Sequence, residues 1–158
     1  MRLIAACIIV SVWAAPAFAQ KYVSTEVTAG GVVLNATSPD PGWFVDAMKM
    51  VLPKVGFVAE VVEYYDSSRA VKPGGLLIAS GGIRGRFRKE GPNGYVQVLF
   101  GHTLTYNGGD TAILKPGVGV TFPLNPQWAI RARADLHIEG EGAGAVFGVG
   151  LTRQWGAK

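Results

Sequence analysis

The chain has 158 residues, of which 49% are apolar and 16% charged, with one cysteine and a formal net charge of +4. So few charges among so many apolar side chains argue against disorder, and the lone Cys7 argues against disulfide scaffolds, zinc–cysteine modules and a cysteine nucleophile. Mean hydropathy is high at +0.25, yet no unbroken apolar run beyond the first residues is long enough for a membrane-spanning helix.

The N-terminus has the layout of an export signal. Arg2 supplies a basic start, Leu3 to Trp13 an apolar core, and Ala17-Phe18-Ala19 before Gln20 a small-x-small cleavage site. Residues 1–19 are therefore expected to be a removed signal peptide, with residues 20–158 forming one domain outside the cytoplasm. Cys7 precedes most of the apolar run, so lipidation there is not expected.

What recurs after the leader is a run of about ten residues with alternating polarity, closed by Gly, Pro, Asn or Asp. Eight such runs are read: Tyr22–Asn35, Trp43–Leu52, Val55–Tyr65, Leu76–Arg88, Tyr95–Tyr106, Ala112–Leu124, Trp128–Ile138 and Ala145–Trp155. The second is ambiguous. Trp43, Phe44, Ala47, Met48, Val51 and Leu52 fit the i, i+4, i+8 spacing of an amphipathic helix behind an Asp40-Pro41 start, and local pattern slightly favours helix. An even strand count favours strand instead, with Trp43, Val45 and Ala47 outside and Asp46 inside.

In the fourth run Leu77, Ala79, Gly81, Ile83 and Phe87 share one face, and Ser80, Gly82, Arg84, Arg86 and Arg88 the other. The fifth opposes Val96, Val98, Phe100 and Leu104 to Gln97, Gly101 and Thr103. In the sixth, Val118, Val120 and Phe122 oppose Lys115, Gly117, Gly119 and Thr121. The seventh run is the clearest. Trp128, Ile130, Ala132, Ala134, Leu136 and Ile138 share one face, and Arg131, Arg133, Asp135 and His137 the other, a separation that a strand makes and a helix would scatter. The eighth alternates Phe147, Val149, Leu151 and Trp155 with Gly148, Gly150, Thr152 and Gln154.

Connections alternate between tight turns (Pro53-Lys54, Lys89–Gly94, Asn125-Pro126-Gln127) and longer loops (Ala36–Gly42, Asp66–Gly75, Asn107–Thr111, Glu139–Gly144), as in an outer-membrane barrel. On an up-and-down meander, Phe57, Phe87, Phe122, Trp128 and Trp155 fall at the tight-turn rim and Trp43 and Tyr65 at the other. Two such levels are what aromatic girdles at lipid–water interfaces require. Glu26, Asp46, Glu60, Arg84, Arg86, Arg88, Lys115, Arg131, Arg133, Asp135 and His137 then face the lumen. Eight strands enclose a bore just wide enough for side chains, so these charges are expected to pair across it.

With these faces assigned, the chain resembles the small eight-stranded outer-membrane β-barrels, the OmpA/OmpX-like transmembrane domains. The resemblance rests on Gly42-Trp43, Gly56-Phe57-Val58-Ala59-Glu60, Tyr95-Val96-Gln97-Val98-Leu99-Phe100-Gly101, Gly117-Val118-Gly119-Val120, and Asn125-Pro126-Gln127-Trp128-Ala129-Ile130-Arg131 followed by Ala134-Asp135. It implies an all-β, antiparallel up-and-down transmembrane barrel, and a strand rather than a helix over Trp43–Leu52. It also implies lipid partners that include lipopolysaccharide, insertion by the barrel assembly machinery, and a monomer. The chain departs from the pattern at its end, where Gly156-Ala157-Lys158 follow Trp155 and Arg153 stands where an aromatic residue is usual.

Other readings fit the residues less well. A lipid-modifying enzyme would need a His–Ser pair near one rim, but His102 is followed by Thr103 and Leu104. His137 with Asp135 and Glu139 suggests a metal site, although lumenal charge pairing explains them better; no metal or cofactor is expected. A soluble barrel binding a small apolar ligand would invert the packing and put Val96, Val98, Phe100, Ile130 and Leu136 inside. Nucleic acid is not an expected partner, because most Arg residues have lumenal parity. Lys49, Lys54, Arg69, Lys72, Lys89 and Arg153 fall near the rims, within reach of lipid phosphates.

Overall fold

A computed structural model describes residues 25–35, 39–65, 76–87, 92–104, 110–140 and 142–156. It contains eight strands: β1 Thr25–Asn35, β2 Pro39–Leu52, β3 Val55–Tyr64, β4 Leu76–Arg86, β5 Asn93–Leu104, β6 Asp110–Pro123, β7 Trp128–Glu139 and β8 Gly142–Trp155. Each is antiparallel to the next. The circle closes where β1 meets β8, from Thr25↔Trp155 at one rim to Asn35↔Ala145 at the other. Every strand thus has two neighbours and the sheet has no open edge.

Trp43–Leu52 is strand. It pairs with β1 from Thr25↔Lys49 upward and with β3 from Gly42↔Tyr64 to Met50↔Gly56. The helical look of this segment has a simple origin. A spacing of four is a multiple of two, so residues at i, i+4 and i+8 also share one face of a strand. Trp43, Ala47 and Val51 face out, while Phe44 and Met48 lie buried between them in sequence.

Several ladders run further than polarity alternation suggests. β2 starts at Pro39 rather than Trp43, and β8 at Gly142 rather than Ala145. Pro41 accepts the Tyr65 N–H at 2.8 Å just beyond the last β2–β3 pair but, having no N–H, cannot return the bond, so the ladder ends there. At the tight-turn rim, Asn125 Oδ1 accepts the N–H groups of Gln127 and Trp128, both at 2.9 Å. This side-chain turn sets the β6–β7 register. At the opposite rim Gly140 adopts φ of 55°, a left-handed conformation suited to glycine, and lets the chain reverse from β7 into β8.

Candidate functional site: a filled bore and an apolar coat

Alternation sends each strand's residues in two directions, and β7 makes the contrast plain. Arg131 is 0% exposed, while the adjacent Ile130 is 40% exposed. Phe100 reaches 65% on β5, beside the fully buried Leu99. The outer surface is therefore coated with large apolar side chains and the bore holds most of the charge. Val96, Val98, Phe100, Ile130 and Leu136 are all exposed, so the packing of a soluble ligand-binding barrel does not hold here.

The middle and lower bore is a connected polar network. Asp46 takes a two-pronged contact from Arg84, with Nη1 and Nη2 each donating at 3.2 Å, and a third from Arg131 Nη1 at 3.0 Å. Arg131 also donates from Nη2 to Glu26 at 2.6 Å, from Nη1 to Thr28 Oγ1 at 2.6 Å and from Nε to Thr121 Oγ1 at 3.3 Å. Glu26 is further held by Arg86 and by the Gln154 amide. Arg84 Nε donates to Gln97 Oε1 at 2.9 Å, and Gln97 Nε2 donates to Asp135 Oδ1 at 2.7 Å. Asp135 is then clamped by Arg133, which also pairs with Glu60, and Glu60 accepts from Lys115. A charge-assisted path thus runs across strands that are far apart in sequence. Buried from bulk solvent, such a path is favourable only while each charge keeps its partners.

Aromatic faces line the same network. The Tyr95 ring lies beneath Arg84 and Arg131, at 4.7 and 5.5 Å from ring centre to guanidinium carbon. Phe44 lies 4.9 Å beneath Arg133. Guanidinium groups stack on aromatic faces in this way because they are planar and weakly hydrated. Glycines make the room. A Cβ on Gly117 would sit 1.7 Å from Asp135 Oδ1, and one on Gly119 would sit 2.3 Å from the Tyr95 ring.

The upper bore differs. Val32, Phe44, Val62, Tyr64, Ile78, Ile113 and Val146 form one buried apolar cluster, with Leu34 and Leu76 packed against it. A second, smaller apolar cluster, Met48, Met50, Val58 and Leu99, lies lower, toward the tight-turn rim, where Met48 pairs with Val58 and Met50 with Gly56. A wholly polar inward face is thus corrected. The inward positions alternate correctly, but where carbon fills a level of the bore there is no charge to mark it in the sequence. Tyr95, Gln97, Thr28 and Thr152 are buried within the charged network; Gln97 and Thr152 have the polar-face parity expected of them, while Tyr95 and Thr28 carried no such expectation. The glycines opposite Tyr95 and Asp135 were the available signal.

His137 lies at the upper edge of the network, buried, 3.6 Å from Glu139, with its ring edge-on to Tyr64. Asp135 faces Arg133 and Gln97 instead. Among the described residues no group of three His, Cys, Asp or Glu is arranged to hold a metal ion. His102 is exposed on the outer face and pairs in register with Ala79 and Ala112, neither of which carries a nucleophile. Arg88, Arg69, Lys72 and Lys89 lie outside the described residues, as does the 1–19 leader.

On the outer face, Phe57, Phe87, Phe122 and Trp155 are exposed and Trp128 half-buried at the tight-turn rim. Trp43 and Tyr65 are exposed toward the other rim, where Trp43 Nε1 donates to Glu63 at 2.7 Å.

Strand number, closure and this inside-out filling define an eight-stranded up-and-down barrel of the transmembrane type. Among solved structures, the chain is similar to the N-terminal β-barrel domain of OprF from Pseudomonas aeruginosa, at 15% identity and a TM-score of 0.66, covering 86% of this chain and 100% of that one. The outer membrane protein OprG from the same organism matches at 10% identity and TM-score 0.63, covering 87% of this chain and 98% of that one. Ail of Yersinia pestis, solved in complex with the heparin analogue sucrose octasulfate, matches at 13% identity and TM-score 0.60, covering 85% and 99%. No protein-family model matches the chain, and no curated protein matches it in sequence. The fold is that of the small OmpA/OmpX-like barrels.

Proposed function

We propose that this chain is a structural outer-membrane β-barrel protein with a plugged polar lumen. Residues 1–19 direct export and are removed, and residues 20–158 span the membrane as a monomer inserted by the barrel assembly machinery. One observation carries the reading: large apolar side chains coat the cylinder while Glu26, Asp46, Glu60 and Asp135 are buried and paired with Arg84, Arg131, Arg133 and Lys115 within it. In water that arrangement would expose the wrong face, whereas in hydrocarbon it pairs the strand backbone around the closed sheet and keeps the lumenal carboxylates paired with cations. The aromatic residues near both rims support two interfacial levels, with lipopolysaccharide and phospholipid as neighbours. The longer connections offer the surface for interaction with partners outside the cell.

The test is folding into phosphatidylcholine vesicles. The expected result is membrane-bound protein whose gel mobility changes on heating, and recovery as soluble, unshifted protein overturns the reading. Plugging has its own test in planar bilayers, where the inserted barrel is expected to give no steady ion conductance. Open-channel currents from the unaltered chain would contradict a sealed bore.

A further inference from the structure

Among the described residues the outer face carries few charges, and two of them, both cationic, stand near the tight-turn rim. Arg153 on β8 projects outward among Val149, Leu151 and Trp155, and its guanidinium lies over two indole rings, 5.3 Å from the centre of Trp128 and 5.4 Å from that of Trp155. Lys49 on β2 has the same outward parity as Val45 and Ala47. Between them runs β1, whose Thr25 pairs with Trp155 on one side and with Lys49 on the other. Thr25 and Lys49 thus stand level with Trp155 at the tight-turn rim, and Arg153 stands two residues further up β8, level with Val27. Neighbouring strands lie about 4.8 Å apart and a strand rises about 3.4 Å per residue, so the two cationic stems start roughly 12 Å from each other on either side of β1, within reach of one headgroup for two long side chains.

None of the four carboxylates of the network reaches this corner, since Glu26, Asp46, Glu60 and Asp135 all point inward. Glu63, an outward carboxylate, lies toward the other rim beside Trp43. Among the described residues, neither Lys49 nor Arg153 pairs with an acidic group. Two cations on a surface otherwise built for hydrocarbon need a counter-charge that comes from outside the chain. Indole rings fix the guanidinium at the depth where headgroups begin.

We propose that this corner is a binding site for one anionic glycerophospholipid. Arg153 and Lys49 hold the phosphodiester from two sides, the Thr25 hydroxyl donates to one of its oxygens, and Trp128, Trp155 and Phe57 flank the acyl chains. The proposal rests on the membrane reading and specifies which lipid chemistry that membrane supplies at this rim. It differs from general attraction to an anionic surface, in which any rim cation contributes equally.

The test uses the full barrel folded into vesicles of phosphatidylcholine and phosphatidylglycerol, extracted in mild detergent, with retained lipid read by native mass spectrometry. The unaltered chain is expected to retain phosphatidylglycerol selectively. Arg153→Gln and Lys49→Gln are each expected to lower its occupancy about fivefold, with Arg153→Lys keeping part of it. Lys54→Gln, in the turn below the site, is expected to change nothing. Equal retention by Arg153→Gln and the unaltered chain overturns the proposal, as does an equal fall for Lys54→Gln. Displacement by millimolar inorganic phosphate would also overturn it, by showing a site for free anions. Should Arg153→Gln fail to fold, Lys49→Gln reads the same site. Failure to insert into pure phosphatidylcholine marks failure of the membrane reading, whereas insertion without selective phosphatidylglycerol retention sinks this inference alone.

Discussion

The lower and upper halves of the bore solve one problem by opposite means. Below, most of the space between strands is filled by long charged side chains stacked on Tyr95 and Phe44 and tied into ion pairs, beside a small apolar cluster around Met48. Above, it is filled by Val32, Val62, Ile78, Ile113 and Val146 as in any buried core. The apolar half tolerates loss of a contact by leaving a cavity, and its cost scales with the volume removed. The charged half does not degrade so gradually, because removing one partner strands another charge buried from bulk solvent. Packing therefore comes from both halves, but the cross-bore ion pairs lie in the lower one, where they join β1, β2, β4 and β7.

Substitutions at the two levels would sharpen this contrast. Asp46→Ala leaves Arg84 and Arg131 facing each other without their shared carboxylate, and is expected to cost about 3–5 kcal/mol in urea unfolding from detergent micelles. Ile78→Ala, in the apolar half, is expected to cost about 3 kcal/mol with the barrel otherwise unchanged. If Ile78→Ala proves the more damaging of the two, the lower network is not the more sensitive half. Gly117→Ala pushes a methyl group into the Asp135 carboxylate and is expected to cost about 1–3 kcal/mol. Combining it with Asp135→Ala should relieve part of that cost, and a double-mutant cycle measures how much. Arg153→Gln, on the outer face, is expected to change stability by about 0.5–1 kcal/mol at most, the worth of an exposed stacking contact. A larger loss would mean that the outer corner shares in holding the barrel closed.

Much of this was legible in the residues, and the reason is period two. Arg131 and Arg133 against Ile130 and Ala132 assign both faces of β7 before any partner is known, and the same arithmetic places Arg84 and Lys115. Trp43–Leu52 was legible only in part, because a spacing of four satisfies helix and strand alike. The upper apolar cluster was not legible. Phe44, Val62 and Ile78 share the inward parity of Asp46, Glu60 and Arg84, but only the closed register brings them together as one apolar level.

The order of residues along each strand determined that one face would be greasy and the other polar, since adjacent side chains on a strand must diverge. It did not determine which polar group meets which. Arg131 finds Glu26 and Asp46, and Gln97 bridges Arg84 to Asp135, only because closure of β1 onto β8 sets a common register for all eight strands. Pairing between residues a hundred positions apart is a property of the closed cylinder, because only there do those positions come within reach of a hydrogen bond.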